Sequence, residues 1–385
     1  MSRPSVLIFV NRYLPGYKAG GPIRSVANIV EHLSGEFDFH IITLDRDSGD
    51  EAPYPHVQRG RWQPVGGAQV WYLAPDERRW RDLRRVMQSV EHDLVYLNSF
   101  FSPTFATAPL ALRRLGRVPA KPVIVAPRGE FSLGAMAIRS GRKRVFLRLS
   151  RVIGLHRGVF WHASTEHERA DIQREIAADA PVQVALNLAS TLTEIPPTPI
   201  KTPGELKLAF LSRIGPKKNL LGALEMLAPV RGTNIEYNIY GPVSDQPYWE
   251  SCEAMIRRLP EHIRVRWHGP VEHAGAAAAI GQNHIFFLPT FGENYGHVIA
   301  EALLAGCPVL LSDQTPWVQV EPRSAGWTLP LDDPAVFTER LQALAEMDES
   351  AYRPLADAAA ALGRETCDNG QRIADHRSMF LQALG

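Results

Sequence analysis

The sequence predicts an α/β protein made of two doubly wound parallel-sheet domains, and three observations carry that prediction. Short runs rich in Val, Ile and Leu recur along the chain, each followed by a stretch with apolar residues at helical spacing. The rhythm stops once, in a proline-rich segment near the middle, and then restarts. A chain of 385 residues is too long for one ordinary core and suits two domains of ~150–200 residues each.

In order, the run 6–10 (VLIFV) reads as a buried first strand, followed by a turn-rich loop at 14–22. Ile23, Val26, Ile29, Val30 and Leu33 then share a helical face. The runs 39–44, 70–73, 94–97, 123–126 and 159–162 are further strands. They lack strict alternation, as parallel strands covered on both faces do. Alternating βα units imply right-handed crossovers, so the domain is Rossmann-like. Residues 193–204, TEIPPTPIKTPG, hold four prolines in twelve positions and read as a linker. Strands resume at 208–211, 235–239, 265–268, 285–288 and 309–311, and 371–384 reads as an amphipathic helix. The expected division is 1–192, a linker 193–204, a second Rossmann-like domain 205–370, and a C-terminal helix 371–385 that can return to the first domain.

Composition narrows the class. Hydrophobic residues at 45% with 22% charged are those of a folded chain, and a net charge of +1 gives no global pull toward nucleic acid, which is not expected as a partner. Cys252, Cys307 and Cys367 lie far apart, with no disulfide framework or zinc spacing, so a cytoplasmic location is expected. The run at 6–10 is too short for a signal-peptide core, and no run of about 20 apolar residues occurs.

The most informative stretch is 291–306, FGENYGHVIAEALLAG. A strand ends at Pro289, a loop with Gly292 and Asn294 follows, and a helix starts near Gly296 or His297. The backbone N–H groups of Gly296, His297 and Val298 then sit at the carboxyl edge of a parallel sheet, where a phosphate gains hydrogen bonds and the positive end of the helix dipole. Glu293 and Glu301 frame this helix start. The plainer alternative is a solvated Glu293 and a Glu301 that offsets the dipole. In 210–219, FLSRIGPKKN, Arg213 and Lys218 sit five residues apart across a Gly-Pro turn. They can converge on a dianion, Arg as a fork and Lys as a point charge, or form only a solvated basic turn.

Together these stretches resemble the retaining GT-B glycosyltransferases of the glycosyl transferases group 1, or family 4, type. The family's E-x7-E is matched by Glu293 and Glu301, and its R-x4-K by Arg213 and Lys218. YGP at 240–242, HGPV at 268–271 and PRGE at 127–130 extend the match over essentially the whole chain. The resemblance implies two domains facing across a cleft, with a nucleoside-diphosphate sugar held mainly by the second. Arg213 and Lys218 would grip the diphosphate and Glu301 the ribose. Glu293, Asn294 and the amides of Gly296, His297 and Val298 would hold the sugar and distal phosphate, and Gly269 would lie beside the base. Glu293, Arg213 and Lys218 are the residues assigned to catalysis.

In the first domain, Gly20 and Gly21 lie between the first strand and helix, where they permit close approach of a ligand or serve as an ordinary turn. The resemblance implies that this loop meets the donor phosphates or the acceptor, and the two glycines are counted with the donor-binding residues. The family's sugar-contacting His has no secure counterpart, and Arg128, Gly129 and Glu130 stand in that region as an acceptor-side set. Between Arg139 and Arg157 the sequence carries seven Lys/Arg and no Asp or Glu. As a helix from Arg142 it puts Val145, Phe146, Leu149, Val152 and Ile153 on one face, with Arg144, Arg148 and Arg151 opposite. That pattern fits a surface helix whose apolar face is core, or peripheral contact with an anionic membrane, placing the protein on its cytoplasmic face. Thr165 and Glu168 have capping-box spacing. Trp317 either lines the ligand site or packs between elements. Asp45-Arg46-Asp47 precedes an irregular loop and no histidine cluster exists, so no metal or other cofactor is expected.

The expected reaction moves a sugar from the donor to a carbohydrate or lipid-linked acceptor hydroxyl with retention, in polysaccharide or glycolipid assembly. A nucleotide-sugar 2-epimerase or phosphorylase on the same fold, and a non-catalytic sugar-nucleotide-binding protein, remain open. A nicotinamide dehydrogenase lacks its GxGxxG spacing in 6–24.

Overall fold

The computed structural model describes residues 3–137, 140–189 and 196–385. They form two compact units, Met1–Leu188 with Asn369–Gly385, and Ala189–Asp368.

The first unit holds one sheet of eight strands: β1 (Ser5–Phe9), β2 (Asp38–Leu44), β3 (Gln63–Val65), β4 (Ala68–Leu73), β5 (Leu94–Leu97), β6 (Val123–Val125), β7 (Val159–Ala163) and β8 (Val182–Val184). Their order is β3-β4-β2-β1-β5-β6-β7-β8, with β3 antiparallel to β4 and the other neighbours parallel. Along β1, Leu7 and Phe9 enter one core with Ile42, Val95 and Trp161, while Val6 and Ile8 enter the other with Val26, Ile29 and Tyr96. Both faces are covered, which is why the run reads as continuously apolar. The C-terminal helix Gly370–Leu384 covers part of the second of these faces: Phe380 sets its ring 5.2 Å from Phe37 and 5.9 Å from Tyr96, and Arg377 pairs with Glu36.

The second unit holds β9 (Glu205–Leu211), β10 (Asn234–Tyr240), β11 (Ile263–Trp267), β12 (Ile285–Leu288), β13 (Val309–Ser312) and β14 (Gly326–Leu329). The order β11-β10-β9-β12-β13-β14 is wholly parallel. In both sheets the first strand sits where the order reverses, between β2 and β5 in one and between β10 and β12 in the other. Both units are therefore Rossmann-like, and each has its switch point beside its first strand.

Three strands escape the apolar-run reading. β3 (QPV) and β8 (VQV) are sheet edges, and β14 (GWTL) is half-buried along most of its length. The described part of the proline-rich segment, 196–204, lies against the second unit, while 193–195 lie outside the described residues. Buried Lys201 donates to the carbonyls of Thr202, Ala345 and Met347 at 2.9, 3.1 and 2.9 Å.

The basic stretch forms the helix Ser140–Val152, Arg139 lying outside the described residues. Its predicted core face needs correction. Leu147 and Ser150 point inward and Phe146 is partly buried, while Val145, Leu149, Val152 and Ile153 are exposed. Helical spacing shows which residues share a face but not which way that face turns. No helix among the described residues is long and apolar enough to cross a membrane.

Candidate functional site

In the second unit β9 and β12 are neighbours across the order reversal, so their carboxyl ends open the crevice where such sheets take ligands. The loops leaving them carry both motifs. The first forms the 3₁₀ turn Pro216–Lys218 and enters the helix Leu220–Leu227 through Asn219, left-handed at φ 56°. Asn tolerates that conformation, and its side-chain amide donates to the Pro289 carbonyl at 2.9 Å. The Lys217 carbonyl accepts from the Phe291 N–H at 2.9 Å and the Thr290 hydroxyl at 3.0 Å. Ser312, ending β13, donates its hydroxyl to the Thr290 carbonyl at 2.5 Å. Backbone and hydroxyl contacts thus tie the two loops together before any charge is considered.

The charges then meet. The Lys218 ammonium pairs directly with the Glu293 carboxylate, and both side chains are mostly buried. Glu293 is therefore not the solvated loop residue of the plainer alternative. Arg213 is exposed and makes no ion pair among the described residues. Its backbone is fixed by Gly241 at φ 132°: a Cβ there would lie 1.9 Å from the Ser212 carbonyl oxygen, so only glycine lets the loop after β10 pass so close. Although Lys217 as a whole is exposed, its ammonium is pushed below the usual lysine range. Lost hydration at that end is the largest cause, followed by Lys218, with Glu293 opposing and Arg213 adding. Sequence reasoning missed Lys217, which lies between the two motif cations.

Gly296, at φ 80°, is the N-cap residue of the helix His297–Leu304 and has no side chain with which to cap it. A Cβ on Gly296 would meet Ile299 Cδ1 at 2.8 Å and Trp317 Nε1 at 3.4 Å. Trp317 is a packing residue: it is buried and donates its indole N–H to the Tyr295 carbonyl at 2.5 Å. With no acidic residue in the first turn, the positive end of the helix is not offset from within. Asn294, His297 and Val298 are half-buried at this start. Glu301 lies one turn deeper, its carboxylate 3.4 Å from the His273 imidazole. Behind the helix, Gly363 permits close crossing, since a Cβ there would lie 2.4 Å from the Leu304 nitrogen.

Beyond β11, Gly269 has φ 78° with open space where a Cβ would stand, and its carbonyl accepts from the Gly241 N–H at 2.8 Å. Aromatic rings surround this turn. Tyr240 stacks on His268 at 4.7 Å, and Trp267, 46% exposed, donates to the Gly241 carbonyl at 3.0 Å. A planar base and a diphosphate are the ligand parts this edge suits: rings at one end, cations and helix N–H groups at the other.

The first unit's switch point is finished differently. Gly20, at φ 69°, precedes the helix Gly21–Leu33, again with no side-chain cap. Its loop is held by Asp47, which accepts from the Tyr17 and Lys18 N–H groups at 2.7 and 3.0 Å. Asp45 pairs with Arg46 and Arg59. Asn98, just past β5, donates to the Pro22 carbonyl at 3.2 Å and accepts from Arg128 at 2.7 Å. Arg128 is left-handed at φ 55° and also donates to Asn187 at 2.6 Å and the Tyr96 hydroxyl at 2.7 Å. Gly129, at φ 77°, donates its N–H to Glu168 at 2.5 Å. Thr165 caps its helix as predicted, accepting from the Glu168 N–H at 3.0 Å, but the Glu168 carboxylate reaches past it to Ser164 and Gly129.

Glu130 is turned inward. It accepts from the Ser99 hydroxyl and the N–H groups of Phe100 and Phe101 at 2.9, 2.7 and 2.9 Å, and burial pushes its carboxyl above the usual range. It holds the 99–101 turn, and of the three acceptor-side residues only Arg128 presents a charge at the sheet edge. Asn98 and Asn187, which orient Arg128, have no sequence motif. Topology is the signal that finds Asn98, which follows the strand paired with β1.

Among the described residues no cluster of three or more His, Cys, Asp or Glu could hold a metal ion. Residues 205–347 match the family model described as Glycosyl transferases group 1. Over 117 residues the chain is 36% identical to phosphatidyl-myo-inositol mannosyltransferase of Mycobacterium leprae; the match takes in 30% of this chain and 31% of that protein, so it spans about a third of the relative's length. Among solved structures, Anabaena HepE in complex with UDP and glucose superposes with a TM-score of 0.74 at 14% identity, covering 99% of this chain and 100% of that one. Sucrose-phosphate synthase of Thermosynechococcus elongatus gives 0.74 at 14% identity, covering 99% of both chains. At that identity the two structures establish the fold, which is GT-B.

Proposed function

We propose that this chain, whose residues 205–347 match the glycosyl transferases group 1 family model, moves a glycosyl unit from a nucleoside-diphosphate sugar to an acceptor hydroxyl with retention of anomeric configuration. The observation that carries the proposal is the junction of the loops after β9 and β12, where Lys218 and Glu293 meet beside Arg213 and the helix that starts at Gly296. The diphosphate lies across Arg213, Lys218 and the amides of Gly296 to Val298, its ribose toward Glu301 and its base toward Gly269. Glu293 keeps Lys218 oriented while the site is empty and faces the sugar once the phosphate takes the ammonium.

In the reaction, the bond from the anomeric carbon to the distal phosphate oxygen breaks, and its electron pair stays on that oxygen. The acceptor oxygen bonds to the same carbon on the same face and gives its proton to the departing phosphate. Each preorganised donor aimed at the leaving oxygens is typically worth ~3–4 kcal/mol. The two cations and the helix start supply that stabilisation, and the rest is positioning. This assignment uses no metal. Asp45 and Asp47, the one DxD-like pair, are engaged by Arg46, Arg59 and the glycine loop.

The acceptor is assigned to the first unit, at Arg128. Polysaccharide or glycolipid assembly on the cytoplasmic face of a membrane is the proposed setting, supported by the lipid named for the mycobacterial relative. UDP sugars are the first donors to test, because UDP is the ligand named with Anabaena HepE. The test is a thermal-shift series with UDP, GDP and ADP sugars, followed by product analysis. A ligand that binds only the folded state at a hundred times its Kd adds about 2.7 kcal/mol of stability. An acceptor-linked product supports the proposal; an isomerised donor sinks it in favour of an epimerase.

A further inference from the structure

Between residues 94 and 165 the chain carries twelve Lys and Arg and a single carboxylate, Glu130, in a protein whose net charge is +1. Glu130 is turned inward and Lys121 pairs with Asp93, while Arg142, Arg144 and Arg148 are exposed and make no ion pair among the described residues. On it lies the helix Ser140–Val152 with its apolar stripe outward: Val145, Leu149, Val152 and Ile153 are 55%, 59%, 85% and 58% exposed. At 100° per residue, Arg148, Arg144 and Arg151 line one flank of that stripe, and Phe146, Leu147 and Ser150 anchor the other side to the core. A second segment joins the same surface. Leu115, 62% exposed, ends the helix Ala108–Arg114, whose Arg113 donates to the Arg157 carbonyl. Arg114 stands 3.8 Å from where a Cβ on Gly154 would be.

We infer that this face of the first unit docks on an anionic lipid bilayer, the aliphatic stripe entering the interface while the arginines bind lipid phosphates. Aliphatic crowns between cations gain from a bilayer's two layers of chemistry and nothing from a nucleic acid, whose surface would reward charge and aromatic stacking. A second copy of the chain would bring arginine against arginine. The docked face also adjoins the acceptor side. Lys143 on this helix lies 5.0 Å over the Phe101 ring, and Glu130 holds Phe101 two residues beyond Arg128. A lipid-linked acceptor is thereby presented beside Arg128. Only this last step rests on the transferase reading.

Co-sedimentation of the full chain with vesicles, without donor or acceptor, tests the docking. The probes are phosphatidylcholine alone and phosphatidylcholine with about one-third phosphatidylglycerol. Binding to the anionic vesicles should exceed binding to the neutral ones at least tenfold and fall steeply with salt. Neutralising Arg144 and Arg148 to Gln should weaken it at least tenfold. Leu149→Ser with Val152→Ser should weaken it at least tenfold. These exposed positions should leave the melting temperature and the UDP-sugar shift unchanged. The inference is overturned if anionic vesicles are not bound, or if the serine pair binds them as well as the parent. It is equally overturned if the serine pair instead abolishes a dimer, or if a DNA duplex is bound and vesicles are not. A missing UDP-sugar shift with vesicle binding intact would count against the transferase reading alone.

Discussion

The two units present the same topology at their switch points and finish it in opposite ways. After β1, β5 and β6, the polar groups are turned on one another: Asp47 takes the glycine-loop N–H groups, Glu130 takes the 99–101 turn, and Arg128 is shared among Asn98, Asn187 and Tyr96. After β9 and β12 the backbone is tied just as firmly, but the charges are left to converge at the edge, with Arg213 exposed and no acidic residue in the first turn of the helix. Topology chooses where a ligand can sit; on the proposed reading, the unspent positive charge chooses which of two such places takes a diphosphate.

That contrast can be broken most sharply at Lys218. Lys218→Ala should lower turnover by about 10²–10³-fold and remove the UDP-sugar thermal shift with the fold intact. Arg128→Lys should keep the shift and raise the acceptor KM. If Arg128→Lys loses the shift as completely as Lys218→Ala, the division between donor and acceptor edges fails. The two helix-start glycines give a finer comparison. Gly296→Ala meets Ile299 and Trp317 as well as its φ of 80°, so a stability loss of about 1–3 kcal/mol is expected. Gly20→Ala, with φ 69° and open space, should cost only about 1 kcal/mol. Denaturant melts of the two variants measure the difference, and equal losses would mean that the Trp317 lock adds nothing.

Acid should separate the units further, with a smaller effect. In the first unit, burial lowers His156 and His376 to about 4 and His162 well below its usual value, while in the second unit His284 falls to about 4. Each depressed imidazole is neutral in the folded chain but takes a proton in the unfolded one below ~6.5. The stability it contributes is therefore full above ~6.5 and drains away as pH falls toward 4. At pH 5 each group costs on the order of 1–2 kcal/mol. The melting temperature should drop by several degrees from pH 7 to 5, and His376→Gln should flatten that slope. A melting temperature independent of pH over that range would refute it.

The sequence made the parallel core and the meeting of the two motif loops legible for one physical reason: strands covered on both faces are continuously apolar, and the motif loops follow them directly. Edge strands such as β3, with its Pro64, bury one face at most and leave no such run. Side-chain direction was illegible. Nothing in PRGE distinguishes an Arg128 held at the sheet edge from a Glu130 folded back on Phe100 and Phe101. The basic helix repeats the lesson, because its periodicity fits an outward stripe as well as an inward one, and only the inward Leu147 and Ser150 decide between them.

The ties from Lys217 to Thr290 and Phe291, and from Asn219 to Pro289, lie wholly inside one unit. The proposed grip on the phosphates is thus built within a single unit, and little ordering entropy remains to be lost when a nucleotide arrives. Evolution, or an engineer, can then recut the first unit for new acceptors without retuning the half that recognises the donor.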